Sequence, residues 1–232
     1  MRETVKRFID ILGSGGILLL SMPLLLLAAV AVKLTSRGPV FFGQERLGEG
    51  GRTFRCLKLR TMVRDAEEWL DRDPALRERH RGNGYKLPTS EDPRVTTVGR
   101  FLRFTHLDEL PQLLNVLRGD MSLVGPRPIV EGELEWYGER TEELLSVKPG
   151  VFGPWTGQGK HRVDYPERVE VELSYLEEPS LGKDVTIFLK NLPVIMSGQV
   201  ENGDGRKDGS TTRSSDEPAP GVRSRPETGA QP

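Results

Sequence analysis

The feature that most constrains this chain is one apolar run of sixteen residues, Ile17 to Val32, with Pro23 inside it. At ~1.5 Å of rise per residue such a run makes a helix about 24 Å long, short of the roughly 30 Å hydrocarbon core of a bilayer. An internal proline removes a backbone hydrogen bond and costs ~3 kcal/mol where no bend is wanted. Ser21, two residues earlier, carries a hydroxyl able to satisfy a freed carbonyl. Three readings compete. Arg2, Lys6 and Arg7 before the run, and Ala29-Val30-Ala31 at its end, have the layout of a cleaved signal peptide. A single spanning helix is the second reading. The third is a helix that enters the bilayer, breaks, and leaves on the same side. Lys33 and Arg37 follow the run, so both flanks are basic, and the positive-inside rule prefers both ends in the cytoplasm.

The remaining chain, out of 232 residues, is long enough for a core of its own. Lys and Arg number 33 against 34 Asp and Glu, so no global field argues for nucleic acid as a partner. Locally the charge is uneven. Arg46, Arg52, Arg55, Lys58, Arg60 and Arg64 stand against Glu49 alone, and Arg94, Arg100, Arg103, Arg118 and Arg127 make a second basic segment. Such segments suit an anionic substrate or an anionic membrane surface, or are simply solvated faces. Cys56 is the only cysteine, which excludes an intrachain disulfide, and the three histidines are too scattered for a zinc site.

Residues 38–60 read as a β-hairpin, with Pro39 to Phe42 strand-like, Gly48 to Gly51 a turn, and Thr53 to Leu59 alternating polar with apolar. The alternation puts Lys58 on one face with Cys56 and Phe54. Met62 to Arg81 is charged and helix-prone, and a polar loop follows to Pro93. From Leu107, the spacing of Leu107, Leu110, Leu113, Leu114 and Leu117 predicts an amphipathic helix with Asp108, Gln112 and Asn115 opposite. Gly125-Pro126-Arg127-Pro128 is a stiff loop, and a helix over Val130–Leu145 is expected after it. A Gly/Pro-rich loop from Pro149 to Gly159 holds Trp155. Helices near 165–177 and 183–197 follow, the second with an apolar stripe of Val185, Phe188, Leu189 and Leu192. Residues 199–232 carry Gly, Pro, Ser and charge with almost no large apolar residue, the composition of a disordered tail.

Asp108-Glu109 opens a predicted helix with Pro111 in its first turn. Carboxylates at a helix N-terminus are routine, because the dipole favours them and keeps them ionised. Their neighbourhood gives the functional reading weight: Arg103 lies five residues upstream and the rigid Arg127 loop nineteen downstream. An ionised carboxylate can attack phosphorus and split a difficult transfer into two easier ones. That attack sets anion against anion, so it needs a divalent cation and Arg or Lys to neutralise the phosphoryl oxygens. Arg127, between two prolines, is suited to fork onto two phosphate oxygens. Lys58 offers a point charge, and its bland reading is an exposed strand lysine.

Three segments, Lys58-Leu59-Arg60-Thr61-Met62, Leu107-Asp108-Glu109-Leu110-Pro111-Gln112-Leu113 and Asn115 through Pro128, resemble the bacterial sugar transferase family, the small monotopic phosphoglycosyl transferases. The resemblance runs from about Lys6 to Ile195. It implies that Asp108 is the nucleophile that takes a phosphosugar and releases UMP, and that Glu109 coordinates Mg²⁺. It also implies that Lys58, Arg103 and Arg127 are basic residues of the active site, and that Pro23 breaks a re-entrant membrane helix, with Ser21 beside the break. The loop Pro149 to Lys160 resembles a family loop of the form Pro-Gly-x-x-Gly-x-Trp-Gln-x-x-Gly-Arg, which adds Trp155 and Lys160 as substrate-binding residues. Here Thr156 replaces the Gln and Lys160 the Arg, Met22 separates Ser21 from Pro23, and Glu172 stands where many members have Asp.

The expected architecture is therefore α+β: a mostly helical cytoplasmic domain with a β-hairpin over residues 38–198, a re-entrant helix-break-helix membrane segment over 1–37, and a disordered tail over 199–232. The expected reaction moves a sugar 1-phosphate from a UDP-sugar to a polyprenyl phosphate at the cytoplasmic face of the bacterial inner membrane, with Mg²⁺, in initiating exopolysaccharide or glycoconjugate assembly. Membrane lipid is an expected partner, and a homodimer is compatible with the reading. Two other classes fit the same residues: a membrane adaptor without catalysis, and a hydrolase of nucleotide-sugars or lipid phosphates.

Overall fold

The computed structural model describes residues 2–82, 87–154 and 165–197. Its first element, α1 (Arg2–Thr35), is a single helix of 34 residues with Pro23 inside it. The expected division into two helices is thus corrected: the helix continues through the proline. Ser21 Oγ donates to Leu18 O at 3.2 Å, one residue before Leu19, whose carbonyl loses its i+4 donor to Pro23. Loss of a single backbone bond does not end a helix whose flanking turns are packed.

Those flanks belong to the domain's cores. Ile17 and Leu18 pack on a cluster that includes Leu113, Val116, Met121 and Leu123. Ala28 and Val32 form another with Leu59 and Leu102. Polar stitches reinforce the first half. Asp10 Oδ1 accepts from Ser122 Oγ at 3.0 Å and from Leu123 N at 2.9 Å. Arg7 donates to the carbonyls of Val116 and Leu117 in the last turn of a helix, where carbonyls outnumber backbone donors. Gly13 permits this approach, since a Cβ there would meet Leu123 Cδ1 at 2.7 Å. The opposite face is apolar and open, with Leu19, Leu20, Leu26 and Leu27 all exposed.

β1 (Phe41–Leu47) pairs antiparallel with β2 (Thr53–Leu59), Phe42 opposite Lys58 and Arg46 opposite Phe54. The charged stretch after β2 forms two helices, α2 (Ala66–Arg72) and α3 (Pro74–Gly82), because Pro74 cannot continue the first. A short helix not foreseen, α4 (Thr97–Phe104), starts at Thr96, whose Oγ1 accepts from Gly99 N at 2.9 Å.

The helix expected from Leu107 begins five residues later, as α5 (Gln112–Arg118), with Pro111 as its N-cap. Leu107–Glu109 is a 3₁₀ turn instead. Its polar face also proves buried. Asn115 is fully enclosed, accepts from Leu57 N at 3.0 Å and donates to Arg55 O at 2.9 Å, serving β2 as a third strand would.

β3 (Ser122–Val124) and β4 (Gly150–Phe152) pair in parallel, Ser122 opposite Gly150. The two backbones approach so closely that a Cβ on Gly150 would lie 2.0 Å from Gly125 N. The continuous helix expected over Val130–Leu145 is also corrected. It is two 3₁₀ stretches, Glu131–Trp136 and Gly138–Arg140, then α6 (Thr141–Leu144). Gly138 breaks it, with φ at 51°. α7 (Glu167–Glu177) and α8 (Leu181–Ser197) close the fold, and Leu173 and Val169 of α7 join Ile129, Tyr137 and Leu144 in a third core.

Candidate active site

Several elements deliver side chains to a cleft between β2, the 3₁₀ turn and the Arg127 loop. Lys58, Glu109, Gln112 and Arg127 line it, with Arg46 from β1 and Val151 from β4. Lys58 Nζ lies 3.1 Å from Glu109 Oε1, and both side chains keep about a fifth of their surface open, 24% and 22%. The pair is wet enough for its energy to be modest, so its value is geometric: it fixes a carboxylate and an ammonium on one wall.

Asp108 sits one residue before Glu109, beside the cleft and 7% exposed. The turn that carries both begins at His106, whose φ of 56° lies in the left-handed region. A non-glycine residue there costs on the order of 1–3 kcal/mol and persists where the surroundings demand it, a feature that clusters at functional sites. Pro111 then sets the direction of α5, and Leu113 and Val116 anchor it in the first core.

The Arg127 loop is held from both sides. Arg127 N donates to Glu172 Oε2 at 3.0 Å. Arg46 Nη1 donates to Pro128 O at 3.2 Å and to Glu133 Oε2 at 3.3 Å, while its Nη2 donates to Gln44 Oε1 at 2.7 Å. Burial, and then Arg127 beside it, push Arg46 below the usual arginine range. Burial raises the Cys56 thiol, so the cysteine at the back of the cleft stays protonated.

Arg103 comes from α4. Its Nε donates to Thr61 Oγ1 at 2.9 Å and its Nη1 to Thr89 Oγ1 at 3.4 Å, on the α4 side of β2. Of the expected residues, Lys58, Glu109 and Arg127 line one cleft, Asp108 precedes Glu109 on the same turn, and Arg103 is bonded to Thr61 and Thr89. Trp155 and Lys160 lie outside the described residues, as does the tail after Ser197.

A model of the bacterial sugar transferase family matches residues 1–198. The chain belongs to that family. This sugar transferase is 43% identical over 194 residues to the exopolysaccharide production protein ExoY of Rhizobium meliloti strain 1021, covering 82% of this chain and 84% of that protein. It is 42% identical over 196 residues to an undecaprenyl-phosphate galactose phosphotransferase of Salmonella typhimurium strain LT2, covering 83% of this chain and 40% of that protein. A UDP-glucose:undecaprenyl-phosphate glucose-1-phosphate transferase of Caulobacter vibrioides is 40% identical over 200 residues, covering 83% of this chain and 70% of that protein.

Sequence reasoning about the transferase counted Arg46 as one of a basic run and did not place it at the cleft. Its position opposite Phe54 depends on the β1–β2 register, and its partners Pro128 and Glu133 lie more than eighty residues away. Gln112 falls on the face opposite the leucines, yet it is 5% exposed. The apolar long helix α1, with its open leucine face, suggests membrane association for the transferase.

Proposed function

We propose that the enzyme transfers a sugar 1-phosphate from a UDP-sugar to a polyprenyl phosphate through a covalent phosphosugar on Asp108, with release of UMP. The observation that carries this reading is the convergence of Lys58, Glu109 and Arg127 on one cleft, beside a buried carboxylate. The names of the relatives support the same substrates.

Asp108 attacks the phosphorus that bears the sugar. One carboxylate oxygen–phosphorus bond forms, and the bond from that phosphorus to the bridging oxygen breaks, so UMP leaves with the oxygen and its charge. The phosphate of the lipid then attacks the same phosphorus and returns the carboxylate to Asp108. Arg127 is suited to fork onto the phosphoryl oxygens, and Lys58 supplies a point charge on the opposite wall.

Mg²⁺ fits this donor set. It is bound through one or two carboxylates and the substrate's own phosphates, not by an all-protein cage. Among the described residues no three His, Cys, Asp or Glu side chains form such a cage, while Glu109 offers a hard oxygen at the cleft. Glu109 is the residue to hold the cation, which when bound offsets the charge of the diphosphate.

Membrane attachment is proposed as monotopic, with both ends of α1 on the cytoplasmic face of the inner membrane. The support is that residues on both sides of Pro23 pack into the same domain, Ile17 and Leu18 on one side, Ala28 and Val32 on the other.

The test of the reaction is UMP release with a panel of UDP-sugars and Mg²⁺, followed by intact-protein mass spectrometry. Without lipid, the wild type should release at most about one equivalent of UMP and carry a phosphosugar adduct on Asp108. Asp108→Asn should carry no adduct and lose roughly 10³-fold or more of turnover. Steady turnover by that variant, or an adduct elsewhere, sinks the covalent step. Continuous UMP and free sugar phosphate without lipid would mark a hydrolase, and no UMP at all an adaptor.

A further inference from the structure

Pro126 and Pro128 have no backbone N–H, so the N–H of Arg127 is the sole main-chain donor across those three residues. It is given to Glu172 Oε2 at 3.0 Å. Glu172 comes from the middle of α7 and its side chain has no solvent exposure. A carboxylate is costly to bury, and a helix interior can be packed with leucine more cheaply. Among the described residues, the carboxylate's hydrogen-bond partner outside α7 is the N–H of Arg127. Within α7, Arg168 stands behind it, Nε 3.8 Å from Oε1, with its guanidinium over the Tyr165 ring at 5.0 Å. Glu172 is thus fixed from behind and reaches forward to one backbone atom.

A backbone hydrogen bond at Arg127 sets where its Cα stands, and the flanking prolines limit how the loop can adjust. We propose that Glu172 is a positioning residue: by taking the Arg127 N–H it aims the Arg127 side chain into the cleft, where a nucleoside diphosphate binds. This rests on the reading of Arg127 as a phosphate ligand. What matters on this account is the reach of the acceptor, not its charge. Gln keeps an oxygen at the same distance without the charge, whereas Asp keeps the charge and withdraws the oxygen by one methylene.

The experiment is titration of UDP with Mg²⁺ into the full-length protein in detergent, which reads phosphate binding whatever the sugar. Compared are wild type, Glu172→Gln and Glu172→Asp, each alone and combined with Arg127→Ala, with folding checked by circular dichroism. Glu172→Gln should bind UDP within about threefold of wild type. Glu172→Asp should bind roughly tenfold more weakly, the loss of one buried hydrogen bond. In the Arg127→Ala background the Asp substitution should cost nothing further, because no guanidinium remains to be aimed. A merely structural role predicts the same loss in both backgrounds, and that result overturns the proposal. So does wild-type affinity in Glu172→Asp, or a greater loss with Gln than with Asp. Should Glu172→Asp fail to fold, a loss in Glu172→Gln absent from the Arg127→Ala background would still show coupling by charge and overturn the reach argument. A wild type that binds no UDP sinks the nucleotide-sugar reading itself, a result distinct from any of these patterns.

Discussion

Glu172 is enclosed completely, and burial raises its carboxyl to about 7, against the lowering pull of Arg168 and of the Arg127 N–H. A carboxylate with a raised folded value destabilises the fold once it must ionise. Its favourable contribution is complete below the unfolded value of 4.5 and is lost as pH rises through about 7. Glu172→Gln mimics the protonated form and removes this dependence. At pH 8 the variant should be more stable than wild type by a few kcal/mol at most, read as a higher unfolding temperature. The gap should shrink toward zero as pH falls to 5. Thermal unfolding followed by circular dichroism at pH 5, 6, 7 and 8 measures it, and a gap that widened toward acid would refute the burial argument. In the sequence this residue is marked only by resemblance, as a Glu where many family members have Asp. Glu172 lies in an ordinary amphipathic stretch, and only the return of α7 against the loop at Arg127 makes its burial meaningful.

Asn115 illustrates the same limit for elements. Spacing alone put it on the open face of α5, opposite Leu113 and Leu114, yet its amide completes the free edge of β2 by meeting Leu57 N and Arg55 O. Lys58 follows Leu57 directly on that strand, so α5 holds the backbone from which Lys58 projects. Asn115→Leu matches the volume and leaves two buried backbone groups unpaired. It should lower stability by about 2–5 kcal/mol in urea unfolding, since each unsatisfied group costs ~1–3 kcal/mol. A loss under ~1 kcal/mol would mean that water replaces the amide. Other elements divide along similar lines. Thr53–Leu59 alternates and is β2, and the leucine spacing marks α5. β3 and β4 are three residues each and paired across a long separation, too short for any period to show. The stretch from Val130 reads as helix, and glycine at 138 with positive φ defeats it. The candidate site follows suit: the Asp108-Glu109 pair and the Arg127 loop are local signals, while Arg46 and Gln112 join them only through tertiary packing.

At the scale of the molecule, α1 decides how the enzyme meets the bilayer. As a straight helix its 34 residues extend ~51 Å, ample for a span by length. Its contacts oppose that use. Leu18 packs in one core and Leu25 against another, so no more than the six residues between them are clear of the domain. A span needs about twenty. To cross the membrane, the first half would have to abandon the Lys6–Asp184 ion pair at 2.8 Å, the Arg7 bonds to α5 and the buried Asp10 acceptor for Leu123 N. Dragging Asp10 into hydrocarbon alone costs ~2.5–3.5 kcal/mol or more. Both ends of α1 should therefore lie on the side of the domain. Single cysteines placed at Glu3 and at Glu139, each exposed, test this in whole cells, with the buried Cys56 as internal control. Both should be shielded alike from an impermeant external thiol reagent and both react once the membrane is opened. Labelling at position 3 in intact cells with position 139 protected would establish a spanning helix, and the contacts of its first half would then belong to a state the membrane does not permit.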